Sequence, residues 1–157
     1  MEQLERTRRY LGRVRQIYAG VPDRDDARLH YGDDVDSFFI HCHHILDWAA
    51  WLNTVGVSLD DVQTYVNAHS ELRICADVCT GAKHCNVANL RTTHQPRTLS
   101  ITRTTQPDSD GEMTTAMRFT IFADGQMIDA LQLAEACVDL WDEFVLDLEQ
   151  LDSDEHV

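Results

Sequence analysis

Residues 38 to 48, FFIHCHHILDW, bring three imidazoles, a thiol and a carboxylate into one short stretch. Imidazole and carboxylate carry protons and bind transition metals, and a thiol binds soft metals. On a helix His43 and Asp47 lie four residues apart and His44 and Asp47 three apart, so either pair projects side by side. Two ligands on one helix need a further ligand from elsewhere to hold zinc or iron. His84 supplies it from just past Gly81, with Cys85 beside it and Asp77 a turn or two earlier. His43, His44, Asp47 and His84 are therefore the candidate ligands for zinc or iron. The spacing also fits histidines at helix borders that bond locally, His43 to Asp47. The chain has no C-x2-C, no H-E-x2-H and no paired E-x2-H.

A second constellation, LRICADVCTGAKH, spans residues 72 to 84. Arg73 and Asp77 are four apart and form an intrahelical ion pair if they face solvent. If Asp77 instead faces the preceding helix, it orients His43 or His44, and a carboxylate holding an imidazole is a general-base arrangement. Lys83 and His84 follow Gly81, where a loop presents them at a cleft. Arg73, Asp77 and His84 are thus the candidate catalytic set. Cys75 and Cys79 form C-x3-C, a weak zinc spacing. With Cys42 and Cys137 they fall on apolar helical faces, where cysteine packs as a small hydrophobe. No Gly-rich phosphate loop or C-x2-C-H is present, so no nucleotide, flavin or haem is expected.

These groups sit in a chain of 157 residues, 43% of them hydrophobic, which suffices for one core. No apolar stretch reaches the roughly 20 residues of a membrane span, and the N-terminus lacks the pattern of a secretory signal. A cytoplasmic protein with reduced thiols is the expectation, supported by the odd count of five cysteines. The net charge of -14 is unevenly spread: residues 1 to 20 carry five arginines against two glutamates, and nine acids with no Lys or Arg follow from Glu135. The basic first helix either clamps onto the acidic last one, or each faces a different partner. Asp139, Asp142 and Glu143 are the candidate partner-binding acids of the last helix. The overall balance counts against a surface that tracks phosphates, while the arginines of the first helix leave room for a small RNA footprint.

Periodicity supplies the elements. Leu4, Leu11, Val14, Ile17 and Tyr18 predict a helix over 3–19, and VPDRDDARLHYGDD reads as a connection. A second helix is expected from about Val35 to Asn53, with Gly56 beyond its end. Ser58 then caps a long helix, or two nearly collinear ones meeting near Ser70, ended by Gly81. From Arg91 the period changes: Leu99, Ile101 and Arg103, then Met113 to Ile121, alternate in steps of two, giving a hairpin across PDSDGE and a second tight turn at Asp124-Gly125. Asp129 caps a last helix whose Leu131, Ala134, Val138, Trp141, Val145 and Leu148 step by three and four. The expected fold is α+β, mostly α. It is one domain over 1–150: four or five helices with an antiparallel β-hairpin at about 97–128 before the C-terminal helix, then a flexible acidic tail at 151–157.

DSFFIHCHHILDW followed by LRICADVCTGAKH resembles a pattern in small bacterial and phage proteins that are similar in outline to HEPN (higher eukaryotes and prokaryotes nucleotide-binding) helical domains. The resemblance covers about residues 35 to 90 and the final helix. It implies a metal-independent ribonuclease, a toxin or defence effector, whose R-x4-6-H motif pairs across a dimer. Arg24 and His30, in RDDARLH, match that motif literally; Arg73 and His84 are too far apart.

Three functions are therefore open. The first is an acidic module that recognises a protein partner through its last helix or its hairpin. The second is a HEPN-like ribonuclease using Arg24 and His30, or Arg73, Asp77 and His84. The third is a metal protein built on His43, His44, Asp47 and His84. The seam of the last helix and the resemblance both point to a homodimer.

Overall fold

The computed structural model describes residues 1–52, 57–84 and 89–154. The first helix, α1 (Glu2–Ala19), buries Leu4, Leu11, Val14, Ile17 and Tyr18 and stops at Gly20, whose φ of 139° excludes a residue with a β-carbon. A two-residue strand, β1 (Val21–Pro22), follows.

The stretch read as a connection then turns out to be largely helical. The helix α2 (Ala27–His43) starts eight residues before Val35 and buries Ala27, Tyr31, Val35, Phe38, Phe39 and Cys42. Asp33, Asp34 and Asp36 dilute the apolar signal there. At Gly32 an added Cβ would stand 3.9 Å from the Phe119 ring. The helix also breaks earlier than expected. His44 closes α2 with right-handed angles (φ -68°, ψ -7°), and α3 (Ile45–Leu52) follows directly; Asn53 and Gly56 lie outside the described residues.

Ser58 caps α4 (Leu59–Ala68) as expected: its hydroxyl accepts from Asp61 N at 3.2 Å, and the Asp61 carboxylate accepts from Ser58 N at 2.9 Å. His69, extended at φ -110° and ψ 122°, separates α4 from α5 (Ser70–Lys83). Gly81 does not end α5. An added Cβ there would stand 3.0 Å from the Gln95 side-chain amide.

The sheet is antiparallel. Strand β2 (Arg97–Pro107) pairs along its length with β3 (Met113–Ala123), Ile101 opposite Phe119, with an irregularity between Thr98 and Ser100. Asp124 and Gly125, both at positive φ, turn β3 into β4 (Gln126–Asp129). The other edge of β3 is shared by β1 at 114–115 and β4 at 120–123, additions that the hairpin reading lacked. Asp129 caps α6 (Ala130–Asp154), its carboxylate accepting from Leu131 N at 3.0 Å and Gln132 N at 3.1 Å. The helix runs through Asp154, so the stretch from 151 expected as a flexible tail begins as helix.

The architecture is α+β and mostly α, with the hairpin before the C-terminal helix. Met117, Phe119, Ile121 and Ala123 alternate onto the helical core, none more than 2% exposed. At Phe119, in the gap between β1 and β4, the Tyr18 hydroxyl substitutes for a strand. It donates to Phe119 O at 3.2 Å and accepts from Phe119 N at 3.0 Å and Leu131 N at 3.4 Å, using all its hydrogen-bonding capacity. One phenol thus ties α1 to both the sheet and α6.

Candidate functional site

The break between α2 and α3 sets out the polar groups of the opening motif. His44 sits at the break, and its Nε2 lies 2.7 Å from Lys83 Nζ at the end of α5. The ammonium donates, so His44 is a neutral imidazole accepting through Nε2. Burial, then Lys83, lowers the His44 pKa. Burial, then Arg91, takes His43 down to about 4, and only Asp47 opposes the shift. Two neutral imidazoles therefore stand between two cations and one exposed carboxylate. This arrangement is able to bind an anion and accept a proton.

The other residues singled out in the sequence are dispersed. His84, exposed, follows α5, and Lys83 takes the place beside His44 that a His84 ligand would need. Among the described residues, no group of three metal-ligating atoms includes His43, His44, Asp47 or His84. Arg73 does not pair with Asp77 as its spacing suggests; its Nη1 donates to Asn67 O at 2.9 Å. Asp77 turns away from the histidines into full burial. Its carboxylate accepts from Arg91 N at 2.8 Å, Thr92 N at 2.7 Å and Thr92 Oγ1 at 2.8 Å, a structural clamp in place of a base. Arg24 pairs with Asp26, and His30 is exposed on α2 edge-on to the Tyr31 ring.

The two charged helices clamp each other. Arg8 reaches Asp142 at 2.6 Å and Arg15 reaches Glu135 at 2.9 Å. Exposed pairs of this kind each contribute about 0–1 kcal/mol, but they occupy Asp142. Asp139 and Glu143 stay exposed on α6.

Two further features were not legible in the sequence. Cys42 on α2, Cys75 on α5 and Cys137 on α6 bring their sulfurs within 4.8 Å of one another, all fully buried, a geometry suited to holding a metal ion. The apolar faces were readable, but their convergence is a tertiary fact. The second is a cleft of about 590 Å³ between α2 and the hairpin, lined by Arg28, Asp36, Ser100, Ile101 and Arg103 among others. Burial against the cleft, with Asp33 nearby, raises the Asp36 carboxyl pKa. Beside the cleft runs β2, last in the order β1-β3-β2 and exposed over residues 102–107.

The depressed pKa of His43 has a consequence for stability. Between about pH 6.5 and 4 the unfolded chain binds a proton that the native state refuses, so this contribution is complete above pH 6.5 and declines towards pH 4. The steepest loss is up to about 1.4 kcal/mol per pH unit. Urea unfolding across that range, compared between wild type and His43→Gln, should give a flatter profile for the variant; parallel profiles would refute the assignment.

Comparison of the chain with protein-family models, with curated proteins and with solved structures finds no match.

Proposed function

We propose that this chain is a protein-interaction module that binds an extended segment of a partner along the free edge of β2. The observation that carries the reading is the edge itself: eleven residues of strand, paired among the described residues only with β3, and solvent-facing over most of their length. An unpaired edge offers a row of N–H and C=O groups to another strand, and proteins that do not use such an edge cover, shorten or charge it. Here it is long and rich in threonine, with Thr98, Thr102, Thr104 and Thr105, and its edge-blunting features are confined to Arg97, Arg103, the irregularity at 98–100 and the terminal Pro107.

Charge favours an acid-bearing segment. In a protein of net charge -14, Arg28 lines the cleft from α2 and Arg97 opens β2, while Arg103, also at the cleft, is paired with Asp23. Backbone pairing supplies affinity and the cleft supplies selection for side chains. The acidic face of α6 is less suited to docking, because Asp142 and Glu135 already answer Arg8 and Arg15.

Peptides selected from a random display library should alternate β-branched residues and include an acid. Of Thr104 and Thr105, neighbours in the strand, one turns its N–H towards β3 and the other outwards. Proline at the outward position should leave the fold intact and weaken peptide binding at least about tenfold, the equivalent of 1.4 kcal/mol. A library that yields no binder, or binding unchanged in both proline variants, would defeat the reading.

A second reading, the HEPN-like ribonuclease, is favoured by the Lys83–His44 contact, which sets a cation against a neutral imidazole beside Asp47. It requires His44 as proton acceptor and Lys83 as phosphate partner, in place of Arg24 with His30 or Arg73 with Asp77 and His84. Cleavage of RNA in EDTA, lost in both His44→Gln and Lys83→Met, is its expected result. RNA left intact at high protein concentration removes it.

A further inference from the structure

Four polar groups in the helical core take no part in docking at β2: the thiols of Cys42, Cys75 and Cys137, and the indole N–H of Trp141. The three sulfurs come from α2, α5 and α6 and lie within 4.8 Å of one another. Three thiolates on one ion, with metal–sulfur bonds of about 2.3 Å, stand roughly 3.8–4.0 Å apart. The trio is therefore within about an ångström of closing on an ion. Packing alone asks for no such convergence; Cys79 is equally buried on α5 and lies outside the trio.

The indole supplies an independent observation. Trp141 is 1% exposed, its Nε1 has no hydrogen-bond partner among the described residues, and the indole is near enough to the Cys42 thiol to act on it. A buried donor left unsatisfied is costly and rare. A neutral thiol is a weak acceptor, whereas a metal-bound thiolate takes such outer hydrogen bonds readily. As thiols, Cys75 and Cys137 make long contacts to Phe39 O at 3.6 Å and Glu71 O at 3.5 Å and interact weakly with each other and with Cys42. Little hydrogen bonding is given up when they ionise.

We infer that Cys42, Cys75 and Cys137 form a buried three-thiolate site for a thiophilic d10 ion, zinc or copper(I), with the Trp141 N–H bonded to the Cys42 sulfur. Binding replaces three thiol protons, which leave to solvent, by one ion. Zinc leaves the smaller residual charge in the core, one negative unit, while copper(I) accepts three sulfurs without a fourth ligand. The core is closed, so the ion enters as the chain folds.

The full chain, unfolded with reductant and refolded with one equivalent of zinc or of copper(I), separates these cases by elemental analysis after gel filtration. About one ion per chain in one arm, with a raised melting temperature, is expected, and the arm that holds it names the metal. Cys137→Ser should retain less than about a tenth as much, and Cys79→Ser should retain the wild-type amount. Should Cys137→Ser fail to fold, Trp141→Phe replaces it: it keeps the ring and removes the donor, and should release the ion to a chelator at least about tenfold faster. Folded wild-type protein holding under a tenth of an ion in both arms overturns the site. So does retention that is equal in every variant, which would place the ion elsewhere.

Discussion

One buried carboxylate, Asp77, joins the helical part of this protein to its sheet. It sits on α5 with no exposure and takes two backbone N–H groups and a hydroxyl from Arg91 and Thr92. A polar group in a core is tolerated when it is hydrogen-bonded, and three donors reach this carboxylate. The next residue, Thr93, is held from the other side, its N–H donating to Asp124 in the β3–β4 turn at 2.7 Å. The chain leaving the helices is thus pinned between α5 and the sheet before β2 begins. That pin also brings Gln95 over Gly81.

With the connection fixed, the remaining ties follow. Tyr18 fills the gap in the β3 edge, the Tyr31 hydroxyl donates to Pro22 O at 2.6 Å, and that of Tyr65 donates to Leu140 O at 2.7 Å. Each phenol buries a ring and spends its hydroxyl on another element's backbone. The surface ion pairs between α1 and α6 add little energy but set which acids remain exposed. The outcome is a closed helical core beside a sheet whose β2 edge is exposed.

The parts of this arrangement that were legible in the sequence rest on local rules. Ser58 with Asp61, Asp129 and Asp124-Gly125 are readable because caps and tight turns depend on a few adjacent residues. The last helix and the hairpin are readable because their periodicities are long. The start of α2 was not, because Gly32 and Asp36 line the cleft and Asp34 pairs with Arg13 on α1, tertiary contacts that local pattern does not encode. Asp77 was misassigned for the same reason: helical spacing offers Arg73 as its partner, while its real partners lie 14 and 15 residues on. For the candidate site, the sequence indicated that His43, His44 and Asp47 gather near the end of α5, but favoured His84 where Lys83 reaches His44. The thiol trio depends on three helices meeting and had no local signal.

The central claim is that β2 is a formed strand with an open edge. Residue-resolved amide hydrogen exchange over residues 97–107 of the isolated protein tests it most directly. Alternation is predicted: amides turned to β3 protected, those between them exchanging at rates near those of an unfolded chain. Protection at every amide would mean that the edge is already covered, and protection at none would mean that no strand is formed; either would contradict the account.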